Sequence, residues 1–182
     1  MPEPKAAAPE LTALAEKAVV LYWEGKYEEA LAVADEALAR DPRFIRAYAA
    51  RVINLLQLGK TEEGIASARA ALAIAPTDGL IYSVLAMCYA RLGDDEAAVA
   101  NFERSLALWP NESRVYYNFA CYWAQLGNAG ECRRTLEVAF MLDTALVELA
   151  GRDPDLARFA YEDWFRDLIA QYKTKRLKER RR

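Results

Sequence analysis

At 182 residues, 54% apolar and 28% charged, the chain has the length and composition of a folded domain or short repeat array and lies far from those of disorder. The net charge is −3, but Lys173 to Arg182 holds seven basic residues against the single acid Glu179, leaving an acidic body of 17 basic and 26 acidic residues. There is no histidine, and Cys88, Cys121 and Cys132 lack CxxC spacing, so no zinc site of common type can be assembled and reduced thiols are expected. Residues 1–10 are rich in Pro and Ala and read as a flexible segment without the basic start and apolar run of a signal peptide. No stretch approaches the roughly 20 uninterrupted apolar residues of a membrane span, and a cytoplasmic location is the expectation.

From residue 11 onward the chain repeats. Gly25, Gly59, Gly93 and Gly127 are spaced by 34 residues. With glycine at about 7% of average usage, three successive chance matches have odds on the order of 0.0003, so the period is real. Pro42, Pro76 and Pro110 keep the same step, as do the small residues Ala30, Gly64, Ala98 and Cys132 and the large ones Leu14, Tyr48, Tyr82 and Tyr116. Glycine is sparse elsewhere and no segment alternates Val, Ile and Thr, so helix is favoured almost throughout. Each unit then reads as two helices: a glycine at positive φ ends the first, small residues let the second pack closely, and a proline stops it. The units are 11–44, 45–78, 79–112 and 113–146. Two departures mark the last: Thr144 stands where proline is expected, and Arg133 falls in the column of Leu31, Ile65 and Val99. The second helix of this unit is expected to run on, or to be followed by a further short helix over Ala145 to Ala150. At the front, Lys17 and Glu24 occupy columns that are apolar in later units. Residues 147–172 read as a capping helical segment carrying Tyr161, Trp164, Phe165, Leu168, Ile169 and Tyr172 at helical spacing. Residues 173–182 form a basic tail that can continue the last helix.

The pattern of Trp or Tyr, Leu-Gly, Tyr, Ala, a large residue, Ala and Pro over 34 residues resembles the tetratricopeptide repeat (TPR) family. The resemblance implies an all-α fold, a right-handed α-solenoid of four tandem helix-turn-helix units plus a C-terminal capping helix. The acidic turn Arg152-Asp153-Pro154-Asp155-Leu156 followed by Trp164-Phe165 is similar to the ends of bacterial arrays of this type.

The same resemblance places the first helices along a concave groove lined by Val19, Tyr22, Arg46, Ile53, Leu56, Met87, Arg91, Arg114, Tyr117, Asn118 and Cys121. An apolar floor with a basic to neutral rim suits a peptide or helix of a protein partner with apolar anchors and some acidic character. The chain's own terminal segment is the other occupant open on these residues. The Lys and Asn clamp with which one subclass grips C-terminal carboxylates is missing, because Ala15 and Val19 fill its positions. The acid pairs Glu28-Glu29, Glu62-Glu63 and Asp94-Asp95 recur in register at the starts of second helices, where they complement the helix dipole. Without histidine, a phosphate-binding loop or a nucleophile-base pair, no catalytic, metal or cofactor site is expected. The expectation is a non-catalytic binding scaffold. An alternative has Lys173, Lys175, Arg176, Lys178 and Arg180 touching nucleic acid, a ribosome or another anionic surface. Self-association through apolar end faces is a third expectation.

Overall fold

The computed structural model describes residues 8–179, which are helical and joined by short turns, with no strand among them. The chain divides into two compact units, 1–108 and 109–182.

The first unit holds three antiparallel helix pairs: α1 (Ala8–Trp23) with α2 (Tyr27–Arg40), α3 (Ile45–Gln57) with α4 (Thr61–Ile74), and α5 (Gly79–Leu92) with α6 (Asp95–Leu108). Helix α1 starts at Ala8, inside the stretch 1–10 read as flexible. Pro9 is tolerated in this first turn, where its missing N–H has no intrahelical partner to lose. Residues 1–7 lie outside the described residues.

The periodic glycines do what their spacing implies: Gly25, Gly59, Gly93 and Gly127 have φ of 74°, 73°, 74° and 75° and are, among the described residues, the ones with positive φ. A side chain is costly in that conformation, so glycine recurs at every hairpin turn. The helices before Pro42, Pro76 and Pro110 end at Arg40, Ile74 and Leu108. Two periodic tyrosines brace these turns, Tyr48 donating its hydroxyl hydrogen to the Pro42 carbonyl at 3.1 Å and Tyr82 to that of Pro76 at 3.2 Å.

Small residues fill the contact between paired helices. Ala30, Ala37, Ala71 and Ala98 are wholly buried, and the buried Ser105 hydroxyl donates to the Gly79 carbonyl at 2.7 Å. At Gly64 even a methyl group is crowded, since a Cβ there would sit 3.3 Å from Cys88 Sγ. Val52, Leu56, Ile81, Val84, Leu85 and Cys88 form the core between the second and third pairs.

The second unit pairs α7 (Ser113–Gln125) with α8 (Ala129–Leu142), then adds α9 (Leu146–Ala150), a 3-10 helix (Pro154–Phe159) and α10 (Asp163–Glu179). Helix α8 ends at Leu142, two residues before Thr144, just as the other second helices end two residues before proline, and the chain then enters the short α9 rather than running on. Leu136, Phe140, Val147 and Leu156 are among the most buried residues of this unit's core, which Phe165, Leu168 and Tyr172 of α10 close. The closing segment differs from one continuous helix. Asp153 accepts from the Asp155 N–H and Pro154 fixes the first turn, so residues 154–159 form a separate 3-10 helix. Tyr161 precedes α10 and is 90% exposed, so it does not belong to the packed aromatic face. The tail is helical to Glu179, whose carboxylate accepts from the Thr144 hydroxyl at 2.7 Å. Among the described residues no helix is long and apolar enough to cross a membrane.

Candidate partner-binding face

In the first unit α3 lies beside both α1 and α5, which brings the 34-residue columns of first-helix side chains together. Along one column Val19 is 51% exposed, while Ile53 and Met87 are half-buried against the core. Tyr22 is also half-buried; its hydroxyl accepts from Gln57 Nε2 at 3.3 Å, and its ring meets Trp23 edge-on at 5.3 Å. Leu56 differs from its neighbours: at 3% exposure it is core, supporting the face from beneath. Arg46 and Arg91 are exposed. Neither guanidinium enters an ion pair or side-chain hydrogen bond among the described residues, whereas Arg51 on the same helix as Arg46 is held by Asp35 at 2.7 Å.

The equivalent columns of the second unit are arranged differently. Tyr117 and Cys121 of α7 are 4% and 8% exposed, covered by the chain's own residues 153–159. The Tyr117 hydroxyl donates to Asp153 Oδ2 at 2.7 Å, and the Cys121 thiol reaches the same oxygen at 3.8 Å. Five residues on, Arg158 Nη1 donates to the carbonyls of Ala124 at 2.7 Å and Gln125 at 3.1 Å, capping the C-terminal end of α7. The 3-10 helix thus lies against α7 much as α5 lies against α3, in the place a further first helix would take. Arg114 is exposed and Asn118 half-buried.

This cluster also bears on chemistry. Burial, then the neighbouring Cys121 and Asp153, raise the Tyr117 phenol above its ordinary range; burial, then Asp153 and Asp155, do the same to the Cys121 thiol. Burial alone pushes Cys132 up to about 12, and burial pushes Cys88 to about 12 against a small lowering by Arg91. Such thiols are held protonated and are poor nucleophiles. Ligand atoms of Cys121, Asp153 and Asp155 lie within 4.8 Å of one another, the spacing of a metal site. The Asp153 carboxylate is already engaged, however, Oδ1 by the Asp155 N–H and Oδ2 by Tyr117 and Cys121, which makes the group a hydrogen-bonded lock.

The basic tail is partly consumed by the fold. Arg176 donates to the Ala145 carbonyl at 3.0 Å, Lys175 lies over the Tyr172 ring at 5.5 Å, and Lys173 stands over Gly151. Lys178 is exposed; Arg180 lies outside the described residues. Sequence reasoning found the Asp153-Pro154-Asp155 turn but not the roles of Asp153 and Arg158. A lone Arg after an Asp-Pro turn carries no signal that it will reach back 34 residues to helix carbonyls.

Stacked helix pairs with a glycine-turned hairpin every 34 residues define a helical-hairpin repeat protein. The chain belongs to the tetratricopeptide repeat proteins: residues 22–128 match the family described as Psidin, N-terminal TPR repeats region. None of the curated protein sequences compared matches it. Among solved structures it is similar to TTC0263, a thermophilic TPR protein of Thermus thermophilus, at TM-score 0.73 and 20% identity over 92% of this chain and 90% of that one. It is also similar to PilF of Pseudomonas aeruginosa, at TM-score 0.67 and 19% identity over 92% and 75% of the two chains. For MamA the figures are 0.58, 15%, 90% and 94%. At these identities the likeness is one of fold.

Proposed function

We propose that this chain is a non-catalytic interaction module that captures a segment of a partner protein on the first-helix face of its first unit. The observation that carries this reading is the half-open apolar column of Val19, Ile53 and Met87, flanked by the exposed Arg46 and Arg91 and floored by Leu56. Folded chains cover such columns or use them. In the second unit the reading narrows to Arg114 and Asn118, since Tyr117 and Cys121 are already covered by residues 153–159. An intracellular setting, where its three buried thiols stay reduced, fits this role. Contact with an anionic surface through the tail has less support, because Arg176 and Lys175 are engaged within the chain.

The test is a pull-down from native cell extract with the wild type beside the double variant Val19→Asp, Met87→Ala, each checked for an intact helical melt. A partner retained by the wild type and lost by the variant is the expected result. Equal recovery by a folded variant removes the face from consideration.

A further inference from the structure

The second helices of the first unit open on acids, Glu28 and Glu29, Glu62 and Glu63, Asp95 and Glu96, and α1 carries Glu10, Glu16 and Lys17, whereas α3 and α5 carry Arg46, Arg51 and Arg91 and no Asp or Glu. Asp35 neutralises Arg51, so two uncompensated guanidinium groups, Arg46 and Arg91, remain on the face, within a chain whose net charge is −3. Two guanidinium groups without a carboxylate partner attract an acidic ligand to α3 and α5 in a chain that is acidic overall.

The positions of the two arginines limit the ligand further. Arg46 is the second residue of α3, and Arg91 is the thirteenth of α5, in the column of Gln57. As first helices of successive hairpins, α3 and α5 run side by side in the same direction. The eleven-position offset puts the two arginines about 17 Å apart along the axes at 1.5 Å per residue, with Ile53 and Met87 between them. On a ligand helix this separation is about three turns, which returns to the same side of the helix.

An extended ligand would need partners for its backbone, and of the two side-chain amides of α3 one is buried and the other already donates within the chain. Asn54 is buried, with its Nδ2 donating to the Ala50 carbonyl, and Gln57 donates to Tyr22. A helical ligand satisfies its own backbone and presents only side chains.

Resting on the reading of this face as the capture site, we infer that its ligand is an acidic amphipathic helix, with carboxylates at i and i+11 meeting Arg46 and Arg91 and apolar residues at i+4 and i+7 on Ile53 and Met87. The probe is a fluorescent helical peptide with Glu at i and i+11 and Leu at i+4 and i+7, beside a counterpart with Lys at the two outer positions. Fluorescence anisotropy with the full chain is expected to show the Glu peptide binding at least about tenfold more tightly than the Lys peptide, a gap of about 1.4 kcal/mol, and weakening with added salt. The double variant Arg46→Glu, Arg91→Glu should reverse the order. Equal affinity for the two peptides, or an order the charge reversal leaves unchanged, overturns the inference. So does a single-stranded RNA that binds more tightly than the Glu peptide and is lost with the same reversal. Peptide binding abolished by Met87→Asp but indifferent to the charge reversal would sink the acidic ligand while leaving the face intact. Binding insensitive to both variants would remove the face as well.

Discussion

The Tyr117 hydroxyl donates to Asp153 Oδ2 at 2.7 Å, fastening the first helix of the second unit to the turn that opens the 3-10 helix. A buried, charge-assisted hydrogen bond of this kind contributes about 1.5–3 kcal/mol, and losing one partner strands the other. Tyr117→Phe and Asp153→Asn should each lower unfolding free energy by about 1–3 kcal/mol, and the double variant by less than the sum of the two. Urea unfolding of the four proteins measures this; additive losses would show that the two side chains act separately.

The same buried groups set the alkaline limit of the fold. Tyr117 and Cys121 have folded values raised by burial first and by nearby acids second, while Cys88 and Cys132 are pushed to about 12. Above the unfolded values, about 8.5 for a thiol and about 10 for a phenol, the unfolded chain releases protons that the folded chain keeps. Stability is therefore fully present at neutral pH and falls as pH rises from about 8.5 upward. Urea midpoints at about pH 7 and pH 10.5 should differ in that direction, and Tyr117→Phe should flatten the part of the slope near the phenol range.

Two glycines with the same backbone make an internal comparison. Gly59 and Gly127 have φ of 73° and 75°, but a Cβ at Gly59 meets nothing within 4 Å, whereas at Gly127 it would lie 3.1 Å from Arg158 Nη2. Gly59→Ala should cost about 1–2 kcal/mol, the backbone strain alone. Gly127→Ala should cost more, because it also pushes on the guanidinium that caps α7. Equal shifts in thermal midpoint would mean the Arg158 cap yields freely.

Asn54 is 1% exposed, and its Oδ1 has no hydrogen-bond partner among the described residues. Replacing it with Leu, close in volume, removes a desolvated acceptor and should stabilise the chain by about 1 kcal/mol. A loss of stability would point to a polar partner at Oδ1 in solution.

On α10, Arg176 donates to the Ala145 carbonyl and is half-buried, while Lys178 is exposed. Arg176→Ala should destabilise by about 1–2 kcal/mol, and Lys178→Ala should stay within about 0.5 kcal/mol. Thermal melts of the two variants give the comparison.

The repeat was legible because its cause is local: glycine at positive φ, proline past the helix end and small residues at close contacts each restrict the residue types at one column. The first-helix face is what the family resemblance implies, and the register only says which residues fall in its columns. The covering of Tyr117 and Cys121 was open in the sequence and no more, because it depends on where residues 153–159 pack. Tyr161 misled for a related reason. Its spacing fits the aromatic stripe of α10, but the helix starts at Asp163, and spacing carries over only within one continuous helix. The basic tail reads as a charge run that continues the last helix, yet Arg176 has a partner contributed by a distant residue that no local pattern announces.

Gly64 occupies a column that elsewhere holds Ala or Cys, and the missing methyl group faces the Cys88 sulfur. The two positions are therefore coupled: Gly64→Ala by itself meets a sulfur with little room to move, while the same change beside a smaller residue at 88 relieves the clash. The second and third repeats meet at this pair, so exchanging either for another repeat changes one side of the contact. For an engineer, the transplantable cassette runs from the middle of one hairpin to the middle of the next.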